Sequence, residues 1–396
     1  MKSQFRGFLF QAKHLAGLLA AAATVAVFLY MGVGAVAQSK STLSALPSTP
    51  QAPKDNPTTP AKVALGRLLF WDPLLSGPQD VACASCHHPQ NGYAEDRDLS
   101  LGVTAIGLGS SRRQAPGSSI PIVKRNSPTV LNIAFSGSDQ SGRYDPATAP
   151  MFWDMRVKSL EKQALEPLKA HEEMRGTTYP EDEAVASVVA KLQANAEYRS
   201  LFAGAFGSAQ PVNSENLGRA IAAFERTLLA NNSPFDRYMR GDRSAMTEEQ
   251  VSGMRRFESV GCVKCHNGPM FSDYKLHVMG VPDNPALPAS DDGAEKTYAS
   301  RTASLRNLAF TAPYEHNGMF RTLSDVVGFY EDARGGRSRN PNVSSEKLDP
   351  LIRELGDFDE EDVDLIEFLR ALSDDSFDRT IPERVPSGLP VGGKIQ

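Results

Sequence analysis

Apolar residues recur along the chain at helical rather than strand spacing. Val185, Val188, Val189 and Leu192 fall on one helical face, as do Leu217, Ile221, Phe224 and Leu228. Thr59-Pro60 puts a hydroxyl cap and a proline at a helix start. Thr247 and Gln250 make a capping-box pair ahead of the Val251, Met254, Phe257 stripe, and residues 362–372 form another apolar helix. No run alternates apolar and polar residues convincingly enough to predict a strand. The Gly/Ser-rich stretch 101–120, with Arg112-Arg113, reads as a long loop. The expected fold is mainly α.

Two N-terminal stretches depart from this pattern. Residues 1–37 carry Lys2, Arg6 and Lys13, then an apolar run from Leu15 to Ala37 closing on Ala35-Val36-Ala37. That is the layout of a signal peptide for export to the periplasm. The run is also long enough to span a bilayer, so an uncleaved membrane anchor is the alternative. Residues 38–57, rich in Ser, Thr, Pro and Gln, read as a flexible tether. The formal charge of −5 becomes −8 without the three leader cations. A mildly acidic surface argues against nucleic acid and suits a basic redox partner.

The remaining chain repeats itself. Gly66-Arg67-Leu68-Leu69-Phe70 is answered by Gly253-Met254-Arg255-Arg256-Phe257. Leu131-Asn132-Ile133-Ala134-Phe135 is answered by Arg306-Asn307-Leu308-Ala309-Phe310, and Ser159-Leu160 by Thr322-Leu323. Three landmarks in one order imply two copies of one unit. Each copy holds a C-x-x-C-H motif: Cys83, Cys86 and His87 in the first, Cys262, Cys265 and His266 in the second. Two cysteines one helical turn apart reach both vinyl groups of a porphyrin, and the next histidine reaches the iron, as in c-type haem attachment. A redox C-x-x-C pair or half of a zinc site would use the same residues, but two copies on an exported chain favour haem. The expectation is two cytochrome c-like haem domains from an internal duplication, residues 58–232 and 233–385, with two covalent haems.

A haem with two strong axial ligands carries electrons; one with an open face does chemistry. Seven residues after Leu323 stands Tyr330; seven after Leu160 stands Pro167. If the repeat is structural, tyrosine caps the iron on His266 and proline leaves the iron on His87 open. Of the seven histidines, His171, His277 and His316 are otherwise uncommitted. His316 competes with Tyr330 as sixth ligand, with Met279 and Met319 behind it.

From these motifs the chain resembles the bacterial di-haem cytochrome c peroxidases, and within them the MauG-like branch. The resemblance spans most of residues 58–375, through LGRLLFWDPLLSG, ACASCHH, RNSPTVLNIAF, FWDMR, EEM, GCVKCHNGP, LRNLAFTAPYEHNG and DVVGFY. It implies that the haem on His87 meets peroxide, with Glu173 as distal acid/base beside Pro167. It implies that Trp153 relays electrons between the haems and that the haem on His266 takes them from a donor. It also implies one calcium ion, held by Asn126 and the Thr311 and Pro313 carbonyls. Two departures stand out. Residues 89–126 contain no histidine, where many of these peroxidases carry one that must leave on reductive activation. Met155 follows Phe152-Trp153-Asp154 where the family usually has glycine.

The reaction expected is reduction of hydrogen peroxide to water, with electrons from a small cytochrome c or cupredoxin. One alternative is a MauG-like oxidase that modifies a tryptophan of a partner protein through a high-valent di-haem state. The other is a di-haem electron carrier without enzymatic activity, which needs a strong ligand on both irons. Glu173 as a solvated charge and Trp153 as core packing are the plain readings of those two residues.

Overall fold

The computed structural model describes residues 42–396, so the expected leader or anchor over residues 1–37 lies outside the described residues. Nine α-helices occur among the described residues: α1 (Pro60–Trp71), α2 (Leu160–Gln163), α3 (Ala184–Ala194), α4 (Ala196–Phe206), α5 (Ser214–Glu225), α6 (Pro234–Met239), α7 (Glu248–Ser259), α8 (Leu323–Arg334) and α9 (Val363–Arg370). The predicted starts hold: Thr59 accepts from the Lys62 amide, and Thr247 and Gln250 cap each other reciprocally. Such caps contribute about 1 kcal/mol each.

Strand is confined to three two-stranded antiparallel ribbons: β1 (Ala105–Ile106) with β2 (Arg113–Gln114), β3 (Pro150–Met151) with β4 (Val157–Lys158), and β5 (Leu276–Val278) with β6 (Ala299–Arg301). Segments of two or three residues are too short to leave an alternating pattern in the sequence. The first ribbon lies inside the stretch expected to be loop.

The repeated landmarks take matching conformations. α1 packs on α5, and α7 on α9. A Cβ on Gly66 would stand 2.0 Å from the Ala220 carbonyl oxygen, and one on Gly253 would stand 1.8 Å from that of Asp364. Only glycine allows these backbones so close. Asn132 and Asn307 both adopt positive φ and lead a single tight helical turn. The amide of Asn132 bonds the Leu228 carbonyl and that of Asn307 the Leu372 carbonyl. Their side-chain oxygens accept from the Ala230 and Asp374 amides.

The two halves exchange their ends. The expected tether is, over residues 42–56, an ordered strap rather than a flexible linker. Leu43 pairs with Gly268, and the Leu46 amide donates to Asp236. Arg306 donates to the Ser44 carbonyl and Arg240 to that of Leu46. Leu43 and Leu46 are both 2 % exposed. Two buried leucines stabilise by about 1.5–3 kcal/mol each, which outweighs the polar composition around them. In return, residues 374–396 cross to the first half. Asp378 pairs with Arg67, Ser387 bonds Asp72, and the Gly392 amide reaches the Trp71 carbonyl. Beyond Asp374 the chain thus packs on the first haem-motif half, although the sequence reading assigns it to the second up to residue 385.

Candidate active site

Each C-x-x-C-H motif forms one tight turn in which the histidine amide bonds the carbonyl of the first cysteine, at 2.9 Å in both. His87 Nδ1 lies 3.2 Å from the Tyr93 carbonyl, and His266 Nδ1 lies 3.0 Å from that of Phe271. A carbonyl partner fixes Nδ1 as the donor and leaves Nε2 as the ligand atom. Burial pushes the Cys83 and Cys262 thiols up to about 12, which disfavours their thiolates. Two partly buried cysteines next to an oriented imidazole fit covalent haem.

Around His266 the chain forms a largely apolar cavity. Tyr330, on α8, faces it with its ring centroid 6.5 Å from that of His266. Burial raises the Tyr330 phenol well above its ordinary value, and the nearby Glu315 carboxylate adds to this. The competing histidines differ: His277 lines the same cavity but is bound to carboxylates, whereas His316 Nδ1 is buried without a hydrogen-bond partner. His277 is gripped by Asp273 at 3.2 Å and Asp349 at 2.6 Å, and these carboxylates push its pKa up. His316 packs edge-on against Trp153, centroids 6.4 Å apart, and burial lowers it to about 4. Met279 lines the cavity, whereas Met319 sits in a cluster with Val281, Phe320 and Phe329.

The first half differs at the equivalent place. α2 ends at Gln163, and Pro167, without an amide hydrogen, follows half-buried in irregular turns. The chain then makes a wide helical turn over His171–Arg175, with the Arg175 amide on the Ala170 carbonyl and the Gly176 amide on that of His171. Such i→i+5 turns concentrate at functional sites. Glu173 stands on it. The Glu173 carbonyl accepts from the Val103 amide at 2.8 Å, and a Cβ on Gly102 would lie 2.2 Å from that oxygen. Leu101 next door carries its carbonyl 4.0 Å from Cys86 Sγ. Glu173 therefore sits by the first cysteine pair, and both thiols feel its charge. Burial, reinforced by Glu172, pushes the Glu173 carboxyl up to about 7. His171 faces an outer depression with Arg175 and Tyr179.

Trp153, 9 % exposed, lines the cavity that holds the second motif. Its Nε1 donates to the Asn126 carbonyl at 3.0 Å, and its carbonyl accepts from the Arg301 amide at 2.7 Å. The neighbouring Asp154 is held by Arg125, which also binds Asp291. Asn126, Thr311 and Pro313 line the same cavity as Trp153, and Asn126 Nδ2 is committed to the Arg97 carbonyl, leaving Oδ1 as its oxygen donor. Met155 is held at φ +54, a left-handed conformation that explains why glycine would suit the position.

The sequence reading passed over Arg301, Glu315 and the His277 triad. Asp273 stands only four residues before His277, but Asp349, the Pro150 carbonyl beside Arg301 and Tyr330 near Glu315 are distant in the chain.

Comparison with known proteins fits this geometry. Residues 60–244 match the family model of the di-haem cytochrome c peroxidases. The chain is 35 % identical over 367 residues to the cytochrome-c peroxidase IdrP1 of a Pseudomonas species, covering 84 % of this chain and 85 % of that protein. It is 34 % identical over 343 residues to the methylamine utilization protein MauG of Methylorubrum extorquens, covering 85 % of both. Among solved structures it resembles a MauG-like protein associated with microbial copper homeostasis, with TM-score 0.66, 27 % identity and coverage of 84 % of this chain and 95 % of that one. The diheme peroxidase BthA of Burkholderia thailandensis gives TM-score 0.63 at 26 % identity, covering 88 % and 96 %. The chain belongs to the di-haem cytochrome c peroxidase family, which includes MauG-like members. It is a peroxidase-type oxidoreductase, and its family implies c-type haems.

Proposed function

We propose that the protein reduces hydrogen peroxide to two waters, using two protons and two electrons from a small periplasmic redox protein, and that its two halves arose by duplication. The observation that carries this reading is Glu173: a carboxyl beside the first cysteine pair, pushed up to about 7. Near neutral pH such a group is populated in both forms and so works as base and then acid. Bound at the two motifs, haem would supply the redox chemistry on peroxide and the store of electrons for it. Glu173 takes the proton from the peroxide oxygen nearer the haem and returns it to the outer oxygen, which leaves as water. Pro167 offers no ligand atom, which keeps that face free for peroxide. Trp153 bridges the halves, and Tyr330 would hold the haem iron together with His266, a role supported by its ring lying 6.5 Å from that imidazole. A calcium ion on Asn126, Thr311 and Pro313 would brace the bridge with oxygen donors.

The Tyr330 arrangement also favours a second reading, oxidation of a partner protein's tryptophan in the manner of MauG. Both readings predict one high-spin and one low-spin haem in the ferric EPR spectrum; two low-spin haems would instead mean an electron carrier. Rapid peroxide turnover with a reduced small cytochrome c or cupredoxin identifies the peroxidase. Negligible turnover with a long-lived oxidised state points to the protein-modifying oxidase.

A further inference from the structure

The cavity around His266 is lined by two arginines whose electrostatic situations differ. Arg306 is paired with Asp236 at 2.9 Å and also donates to the Pro269 and Ser44 carbonyls. Arg301, at the end of β6, has no acidic side chain within ion-pair distance among the described residues. Its Nη1 makes one long bond, 3.3 Å, to the Pro150 carbonyl. Its Nε is buried with no partner. Asp154 is near enough to act on it only through space, and that carboxylate is already taken by Arg125 and Arg156. Beneath the guanidinium, 5.7 Å away, lies the Tyr274 ring, whose buried hydroxyl makes no well-formed hydrogen bond, although Ser136 and the Gly137 backbone lie near it.

A buried guanidinium without a counter-ion is costly, and native proteins avoid it unless something brings the anion. Both side chains line the cavity that contains Cys262, Cys265 and His266. A haem carries two propionate carboxylates on the edge away from its thioether links. A carboxylate is the acceptor that a planar guanidinium and a phenol hydroxyl are built to satisfy. The backbone of the same residue grips the bridge, because the Arg301 amide donates to the Trp153 carbonyl at 2.7 Å.

We propose that Arg301 and the Tyr274 hydroxyl hold a propionate of the haem on His266, and that Arg301 thereby sets both the reduction equilibrium of that haem and the seat of Trp153. Arg301 is a positioning residue in this scheme. Its fixed positive charge favours the ferrous over the ferric state. The inference rests on haem being bound at the second motif, so the experiment first counts haems.

The full-length holo-protein is compared with Arg301→Gln, Arg301→Lys and Tyr274→Phe. Intact mass and the pyridine haemochrome spectrum report haem number; a wild-type protein with fewer than two haems would refute the parent reading, not this one. Spectroelectrochemical titration then follows the two haems separately, and resonance Raman follows the propionate bending band. In Arg301→Gln the reduction equilibrium of the low-spin haem should shift toward ferric by about tenfold, the effect of losing one nearby unit charge. The high-spin haem should stay unmoved. Arg301→Lys should recover most of the shift, and Tyr274→Phe should move the propionate band with a smaller shift in the same direction. Unchanged equilibria and Raman bands in Arg301→Gln and Tyr274→Phe overturn the proposal, as does a shift confined to the high-spin haem. If Arg301→Gln fails to retain the second haem, Tyr274→Phe and Arg301→Lys decide by the same readouts.

Discussion

Replacing Glu173 by glutamine should make the protein a poorer catalyst and, at neutral pH and above, a more stable one. The carboxyl stands at about 7 against an ordinary 4.5 because burial penalises its charged form and Glu172 adds repulsion. That difference corresponds to about 3 kcal/mol for carrying the charge in the folded state. Below about pH 4.5 the group is neutral whether folded or unfolded and contributes nothing. Between 4.5 and 7 the unfolded chain ionises while the folded one keeps its proton, so stability falls as pH rises. Above about 7 the loss is complete. The Glu173→Gln variant lacks this contribution. Denaturant unfolding of both holo-proteins at pH 4.5 and pH 8 should show the variant gaining up to about 3 kcal/mol on the wild type between the two. Peroxide turnover should meanwhile fall by about 10²- to 10⁴-fold, the usual worth of a positioned proton shuttle. Parallel stability profiles would show that Glu173 is solvated and ordinary. Undiminished turnover would remove it from the chemistry even if the stability result held.

Other outcomes follow from the same contacts. Tyr330→Phe should change the optical and EPR spectrum of the low-spin haem while leaving the high-spin one unaltered; an unchanged low-spin spectrum passes the ligand role to His316 or a methionine. Met155→Gly should raise unfolding free energy by about 1 kcal/mol by relieving the left-handed backbone at φ +54, and equal or lower stability would mean that Met155 packing outweighs the strain. Leu46→Ala should cost about 2–5 kcal/mol in denaturant unfolding, as for a core leucine, whereas a flexible tether would show no loss. Chelation of calcium from the holo-protein should slow peroxide turnover, with recovery on adding calcium back; insensitivity to chelation would dismiss the Asn126 site.

The helices were legible because their apolar stripes and caps are local: Thr59, Thr247, and the faces at 185–192 and 217–224 need only their neighbours, although the stripe extended to Leu228 overshoots a helix that ends at Glu225. The haem-attachment motifs were legible for the same reason, since five consecutive residues hold the chemistry. What escaped the sequence depends on distant partners. Residues 42–56 have the composition of a linker, and only Leu43 and Leu46, meeting Gly268 and the amide-accepting Asp236, turn them into a strap. Arg301 looks like any other arginine until the absence of an acid beside it is seen, and His277 looks free until Asp273 and Asp349 close on it. The wide turn under Glu173 is set by Val103 and Gly102, some seventy residues earlier.

The exchanged ends and the bridge belong to one physical problem. Trp153 is fixed at its Nε1 by Asn126, at its carbonyl by Arg301, on its ring by His316, and through Asp154 by Arg125, which also holds Asp291. Asn126 and Arg125 come from the first half; Arg301, His316 and Asp291 come from the second. A shift between the halves would therefore break several of these contacts at once, and a relay works only while its donor and acceptor distances are kept. The strap and the C-terminal crossover oppose that shift. Each half buries an end of the other, so separating them means exposing Leu43 and Leu46 and breaking Asp378–Arg67 and Ser387–Asp72 together. Loosening the strap should thus impair communication between the haems even though the strap lies outside both C-x-x-C-H motifs in sequence, whereas an electron carrier with two independent haems would have no use for so rigid a connection.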